Sequence, residues 1–576
     1  MMTQRIERVD TIPLINALLM RMGVEQVIDN IFISHGNWNG LSYGQLAVLF
    51  VTYVLHSLTH RLSSVECWMM EHKTVIEKAT GWELKEKDAT DDRLGNLMEV
   101  LGQHDETIYE FQLAMSQRII SGYQLPTDIA RYDTTSFNVC HQPESVQNGL
   151  LQFGHSKNHR PDLLQYKQGM AVLDPAGVPI LSETIPGNRA DDPCYLPAWR
   201  RLVQTVGNAD FLFVADCKAA SLETRAAISH EKGYYLFPLP MTGDTPKHIK
   251  ELVLNPPETI QDIILEPKAG DDAVRVVGKG FAVNRQLEAQ LENEEIHQWT
   301  EQWMVSRSDA HATRQNISLQ ERLAKALSKL SGLKPRANET APAFQARADQ
   351  ILQNYKLQDY LHLEVNETIT SQQKYIGKGR PGPDSPYRTV EIRKLSIQVH
   401  RDEAAIGQFQ MLAGWRIYVT NVPADRMTIN QSTQYYRDEW LVERGFHRFK
   451  KGHIPALPLF LRIPERIKGL MLLLTIGLQV LTLMEFVSRK SLSKDNETIS
   501  GLVPGNPKMK TNRPTAERLL SQFNNLNLLI EENQKKVKAL MVGGLTALQK
   551  RILSILHLPE DIYDLPLNHA KIKEAT

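Results

Sequence analysis

Three acidic residues stand where metal-dependent chemistry could use them. Asp133 lies inside the alternating run TDIARYDTTSFNV, Asp216 closes the apolar run DFLFVAD, and Glu443 sits in YYRDEWLVERGFHRFKKG, residues 435–452. Carboxylates are hard oxygen donors. Three of them converging at strand ends and a helix face, with no His/Cys set nearby in sequence, favour Mg²⁺ or Mn²⁺ over Zn²⁺. Two such ions about 4 Å apart activate an attacking oxygen at phosphorus and stabilise the leaving one. An Asp after an apolar strand is also what a turn or a helix N-cap requires, and Glu443 can equally pair with Lys450 on a surface. Residue types alone leave the three unjoined.

The stretch around Glu443 carries a second signal. Tyr436 lies seven residues before it, Glu439 four before, His447 four after and Lys450 seven after. On one helix these five side chains fall within about 40° of a single line. Trp440 and Phe446 flank that line at about 60° on either side, so the polar stripe is bordered by aromatics and only partly wetted.

These residues need elements to hold them. Residues 1–120 read as helices: DTIPLINALLMRMGVEQVIDNIF and SYGQLAVLFVTYVLHSL have helical apolar spacing. SSVECWMMEHKTVIEKA and TDDRLGNLMEVLGQ follow, opened by Ser and Thr as N-caps. Near residue 126 the character changes. TDIARYDTTSFNV is strand-like, and QGMAVLDPAGVPILSETIPG is two apolar runs around Asp-Pro-Ala-Gly, a hairpin signal. DPCYLPAWRRLVQTVG reads as a helix, DFLFVADC as a short buried strand and KAASLETRAAISHEKG as a helix, which together suggest a layered α/β sheet. In such sheets chemistry gathers at strand ends and adjacent helix faces. Residues 231–410 interrupt this with strand-like pieces and a helical pair. GWRIYVTN then reads as a buried strand before the Glu443 helix, with Trp415 and Phe446 as core. Residues 487–515 form a polar, Pro/Gly-punctuated linker, and a helical tail spans 516–576. The sequence shows no internal repeat.

Composition narrows the classes. A chain of 576 residues exceeds one core, so several domains are expected. Lys plus Arg is 66 and Asp plus Glu is 66, which argues against a general basic coat while leaving local basic patches open. Cys67, Cys140, Cys194 and Cys217 make no CxxC or Cys/His spacing, so neither a zinc framework nor a disulfide scaffold follows and a reducing interior is expected. The N-terminus carries charges where a secretion signal needs an apolar core. GLMLLLTIGLQVLTLMEF, residues 469–486, has the length of a short membrane span. Gln479 and Glu485 inside it, and Arg466 and Lys468 just before it, favour a buried core helix.

The 435–452 stretch resembles the Tyr-x2-Arg-x3-Glu-x6-Lys box of bacterial insertion-sequence transposases of the DDE class. Tyr436, Glu443 and Lys450 match in spacing, and Glu439 stands where the box has Arg. RYDTTS resembles the segment holding that family's first Asp, and LFVADCKAAS the segment holding its second. GHSKNHRPDLLQY resembles the basic motif between them and GWRIYVTN the strand before the box; FLRIPERIKGLM and NRPTAERLLSQF continue the likeness. It runs in order from about residue 5 to 555.

The resemblance implies an α/β fold: a ribonuclease-H-like core with a large mixed α/β insertion, preceded by an all-helical N-terminal domain. It divides the chain into a helical DNA-binding or oligomerisation domain (1–120), two parts of the core (126–230 and 411–486) and the insertion (231–410). It makes Asp133, Asp216 and Glu443 the catalytic metal ligands for Mg²⁺ or Mn²⁺. Tyr436, Lys450, Lys157 and Arg160 become DNA contacts, the last two through their place in the connection after the Asp133 strand; His447 has no role assigned. The expected partners are double-stranded DNA, as terminal inverted repeats and target, and further copies in a homodimer or higher synaptic complex, with no membrane and no small-molecule substrate. The place is a bacterial cytoplasm, on nucleoid DNA. The implied activity is cleavage at element ends and transfer of the freed strand to target DNA. A nuclease that only hydrolyses, or a silent DNA-binding descendant, are the alternatives.

Overall fold

The structure is a computed structural model that describes residues 3–143, 149–157, 159–265, 275–337, 339–533 and 536–565. The chain opens on a strand, β1 (Thr3–Arg8), which pairs antiparallel with Asn527–Asn533, Ile6 opposite Leu529. Seven helices follow: α1 (Ile12–Met22), α2 (Val24–Ile31), α3 (Tyr43–Ser57), α4 (Val65–Glu71), α5 (Lys73–Thr80), α6 (Asp91–Gly102) and α7 (Asp105–Tyr123). Ser42 starts α3 with a reciprocal capping box to Gln45, and the Thr90 hydroxyl accepts from the Arg93 amide to start α6. Ser64, before α4, makes no such bond.

A meander comes next: β2 (Ile129–Val139), β3 (Leu164–Leu173) and β4 (Val178–Pro186), each antiparallel to its neighbour. Gly177 closes the β3–β4 turn at φ +65°, a backbone angle that disfavours any side chain. Helix α8 (Tyr195–Val206) leads to β5 (Leu212–Ala215), parallel to β2, and α9 (Leu222–His230) leads to β6 (Tyr234–Pro238), parallel to β5. After α10 (Thr245–Leu254) come β7 (Gln261–Leu265), β8 (Arg275–Gln290) and β9 (Ile296–Ser308). Helices α11 (Asp309–Ser331) and α12 (Ala341–Tyr355), the long strands β10 (Leu361–Tyr375) and β11 (Tyr387–Arg401), and α13 (Glu403–Leu412) precede β12 (Trp415–Thr420). Then follow α14 (Ile429–Arg437), α15 (Trp440–Lys451), α16 (Pro464–Lys494), α17 (Ala516–Ser521), β13 (Asn527–Asn533), β14 (Lys536–Val542) and α18 (Ala547–Ile555).

Nine strands make one mixed sheet in the order β4-β3-β2-β5-β6-β12-β9-β8-β7. The chain therefore has a mixed α/β architecture built on a large sheet. Glu301 on β9 is fully buried and accepts from Arg225 of α9, the Tyr235 hydroxyl and the Trp303 indole, which fixes the outer strands to the core.

Several sequence-based boundaries move. The N-terminal segment is not all helical, and the tail is not only helical, because β1, β13 and β14 form a three-stranded sheet. A strand whose partner lies some five hundred residues away leaves no local signature. Nor do residues 1–120 form a core of their own: one apolar cluster runs from Val9 to Leu565 and takes in α3, α6 and α16. Residues 231–410 are not a separate insert throughout, since β6 to β9 all belong to the large sheet. Among the described residues α11, α12, α13 and the β10–β11 ribbon base close a second small core, around Leu319, Leu323, Leu352, Leu361 and Ile406. Helix α16 runs on to Lys494, into the expected linker, because Ser488 and Leu492 stay buried. The 469–486 stretch lies inside α16, whose most apolar 18 residues are 94% buried in protein.

Candidate active site

Strand β2 builds the site by its alternation. Arg131, Asp133, Thr135 and Phe137 point to one face of the sheet. Arg131 is buried; it donates to Asp174 and to the Tyr435 carbonyl at the end of α14. Thr135 accepts from the Lys450 ammonium at 2.7 Å, and that ammonium lies 5.4 Å from the Phe137 ring centre. The two helices are thus tied across β2 at both ends, with Asp133 between the ties.

Asp216 arrives from the neighbouring strand. Parallel pairing sets Tyr132 beside Ala215, so the next residues, Asp133 and Asp216, stand side by side. Asp216 caps the turn after β5 as a structural aspartate would: its Oδ1 accepts from the Lys218 amide at 2.9 Å. The same Oδ1 accepts from the Tyr195 hydroxyl of α8 at 2.5 Å. Asp133 Oδ1 accepts from the Thr134 amide at 2.7 Å. Among the described residues, no donor reaches Oδ2 of either aspartate.

The Glu443 box is not one continuous helix. Helix α14 ends at Arg437 and α15 begins at Trp440, joined by a tightened turn in which the Leu441 and Val442 amides donate to the Asp438 and Glu439 carbonyls. Glu439 stands at that joint. It is half-buried, and burial, then Asp133, Glu443 and Asp216, push its carboxyl up to about 7, against a hydrogen bond from Tyr436. Burial also pushes Asp133 up to about 6; the charge of Asp216 adds to this and the Lys157 ammonium opposes it. Glu443 lies in the first turn of α15 and is exposed. With Glu439 and Tyr436 it lines a cavity of about 260 Å³.

The expected site residues are therefore only partly assembled. Asp133 and Asp216 are adjacent and Glu439 shares their field. Among the described residues no three His, Cys, Asp or Glu side chains are grouped closely enough to hold an ion.

The basic residues divide. Lys157 donates to the Thr134 carbonyl at 2.6 Å and pairs with Asp191 at 3.7 Å. Burial, then the charge of Lys157, holds the Lys450 ammonium below its ordinary value, so the two ammoniums share one spot beside Asp133. Arg160 is exposed, pairs with Asp162 at 2.7 Å, and its carbonyl sits by Asn138, five residues further along β2. Tyr436 packs against Tyr418 at 4.7 Å between ring centres and joins a small apolar cluster with Val422 and Met427, so much of its ring is spent on packing. His447 is exposed, while Trp415 and Phe446 are core, as expected.

Three participants were not read from the sequence. Tyr195 and Asp191 sit in and before an ordinary-looking helix, and nothing in their spacing points to Asp216 or Lys157. Arg131 could have been suspected from its place two residues before Asp133 on an otherwise uncharged strand face.

Residues 126–478 match the family model described as "Transposase DDE domain". That span is more than half of the chain, and the chain belongs to this family. It is a DDE-class transposase by family. Among solved structures it is similar to a piggyBac transposase in a synaptic complex with hairpin DNA, determined by electron cryo-microscopy. The identity is 9% and the TM-score 0.32, over 97% of this chain and 86% of that one, a likeness too loose to support any residue-level reading. No curated protein matches the chain.

Proposed function

We propose that this chain cuts DNA at the ends of a bacterial insertion sequence and joins the freed 3′-hydroxyl to target DNA, using Asp133, Asp216 and Glu443 as the acidic set. The observation that carries the reading is the register of β2 and β5, which puts two aspartates side by side under the helix pair bearing Glu439 and Glu443. The five strands β4-β3-β2-β5-β6, an antiparallel meander followed by two parallel strands, support the expected ribonuclease-H-like core.

The donors fit Mg²⁺ or Mn²⁺. They are carboxylate oxygens, and each aspartate keeps one oxygen free of protein donors among the described residues. Such ions would supply charge stabilisation for in-line displacement at phosphorus. The chain's own groups do the rest. Lys157 and Lys450 offer two ammoniums to a backbone phosphate beside Asp133. Tyr195 holds Asp216 in place. Arg131 and Lys450 fix the helix pair across the strand. Arg160, further along, is placed to touch the backbone outside the scissile step, and Tyr436 to border it. Glu439 is a fourth carboxylate facing the aspartates.

The same reading puts the chain on double-stranded DNA, as terminal repeats and target, in a dimer or higher synaptic complex in a bacterial cytoplasm, where its four free cysteines stay reduced. Base readout needs surfaces beyond the phosphate-facing core, and the helices of residues 1–120 are proposed for it. The test is to incubate purified protein with DNA from the flanks of its own coding sequence and Mg²⁺, and to map the cleaved phosphates. Cleavage with strand transfer supports the reading. Cleavage alone means a nuclease, and binding without cleavage means a silent descendant.

A further inference from the structure

Strands β10 and β11 pair over fifteen positions, from Leu361 opposite Arg401 to Tyr375 opposite Tyr387. At about 3.4 Å per residue the ribbon is roughly 48 Å long. Its base packs on the small second core through Leu361, Leu363, Ile397 and Val399. Beyond Glu367 and Lys394 both faces are almost wholly exposed. A bare two-stranded ribbon is marginal in water, so one this long needs a use.

The tip says what for. Between Gln372 and Val390 stand four cations, Lys374, Lys378, Arg380 and Arg388, against one acid, Asp384. All four cations are exposed, and among the described residues none has an ion pair. Nearer the base, by contrast, Arg393 and Arg401 pair with Glu367 and Glu403. The chain as a whole is neutral, so this is a local basic patch. The loop itself reads GKGRPG. Gly379 has φ +98° with no atom near the place of a missing Cβ, and Gly382 is equally open. Arg380 thus projects from backbone that carries no bulk on either side except Pro381. Exposed large apolar groups along the ribbon are few, Ile369, Ile376 and Tyr387, which is poor material for a protein–protein core.

We propose that the β10–β11 ribbon is a DNA-binding arm whose Lys378-Gly379-Arg380-Pro381 tip enters the minor groove of A·T-rich duplex. The groove is about 6 Å wide, admits narrow backbone and single arginines, and is narrowest and most negative over A-tracts. Lys374 and Arg388 flank the tip to meet the phosphates on either side. The assignment rests on the chain acting on DNA, but not on the carboxylate site.

The test uses the full chain and the Lys378→Ala/Arg380→Ala double variant, with fluorescence anisotropy on A·T-rich and G·C-rich duplexes of equal length across a salt series. The parent should prefer the A·T-rich duplex. The double variant should lose about tenfold on it, lose the preference, and flatten the salt dependence by about one to two phosphate equivalents, since two cations leave the groove. A minor-groove-binding polyamide should displace the parent's extra affinity and leave the variant unaffected. An unchanged preference in the variant overturns the arm while leaving the transposase reading intact. A changed sedimentation state with unchanged DNA binding would make the ribbon a contact between copies and also overturn it. A parent that binds no duplex removes the arm and the DNA reading together.

Discussion

Replacing Asp133 by asparagine should abolish cleavage and yet stabilise the protein. Burial and the neighbouring Asp216 raise the Asp133 carboxyl from 3.8 to about 6. At about 1.36 kcal/mol per pKa unit, keeping it ionised in the folded state costs about 3 kcal/mol. The sign follows from linkage. Between pH 4 and 6 the folded protein holds a proton that the unfolded chain has lost, so stability falls as pH rises through that window and the whole cost is present above it. An amide in place of this carboxylate carries no charge and so no such cost. Unfolding entropy for a chain of 576 residues, at about 2.1 cal/mol/K per residue, makes 3 kcal/mol worth roughly 2–3 °C in midpoint. Differential scanning calorimetry of parent and Asp133→Asn at pH 8 and pH 4.5 checks this. The variant should melt higher at pH 8, and the gap should close at pH 4.5. Added Mg²⁺ should raise the parent's midpoint and leave the variant's nearly unmoved. A variant that melts lower at pH 8, or gains from Mg²⁺ as the parent does, would refute the placing of Asp133 in a carboxylate cluster.

Glu443→Gln should lose cleavage while still binding DNA, measured by gel shift. Glu439→Gln should instead shift the pH–rate profile. Cleavage in the parent should climb between about pH 6 and 7 as Asp133 and Glu439 ionise, and the variant should lose the upper part of that climb. Lys450→Ala should weaken binding to all DNA sequences about equally and flatten the salt slope by about one phosphate; a change in end preference with the slope intact would remove it from the phosphate contacts. Glu485 is buried in α16 and accepts from Arg444 and Arg448 of α15, from Arg489 and from the Ala516 amide. Glu485→Gln should cost roughly 1–3 kcal/mol in chemical denaturation, because Arg444, Arg448 and Arg489 lose a shared counter-charge while the buried Arg448 keeps Glu517. A loss under about 1 kcal/mol would mean that this network does not hold α15.

Removing residues 1–120 is not a usable test of end recognition. Those helices cover α16 and share its apolar cluster, so the truncation would expose the core rather than delete a module. Point substitutions on their exposed faces are needed.

Local pattern carries what is local. The alternation around Asp133, the apolar run ending at Asp216, the turn at Gly177 and the cap at Thr90 all rest on neighbours within a few residues, and each was legible in the sequence; the cap expected before α4 does not form at Ser64, and the one at Ser42 was not read. The 469–486 stretch was legible as a core helix because its polar residues argued against lipid, but not the three-arginine pocket around Glu485. The spacing of Tyr436, Glu439, Glu443 and Lys450 was legible too, though not the joint that splits their helix at Glu439. What the chain could not show by spacing is which faces meet. That Asp133 stands beside Asp216 depends on the parallel register of two strands some eighty residues apart. That Glu439 faces them, while Glu443 stays exposed, depends on where Arg131 and Lys450 tie the helices down. Pairing of β1 with β13 joins the two ends of the chain through hydrogen bonds that carry no sequence signature. Such contacts are set by the packing of the whole apolar cluster, and only the folded chain decides them.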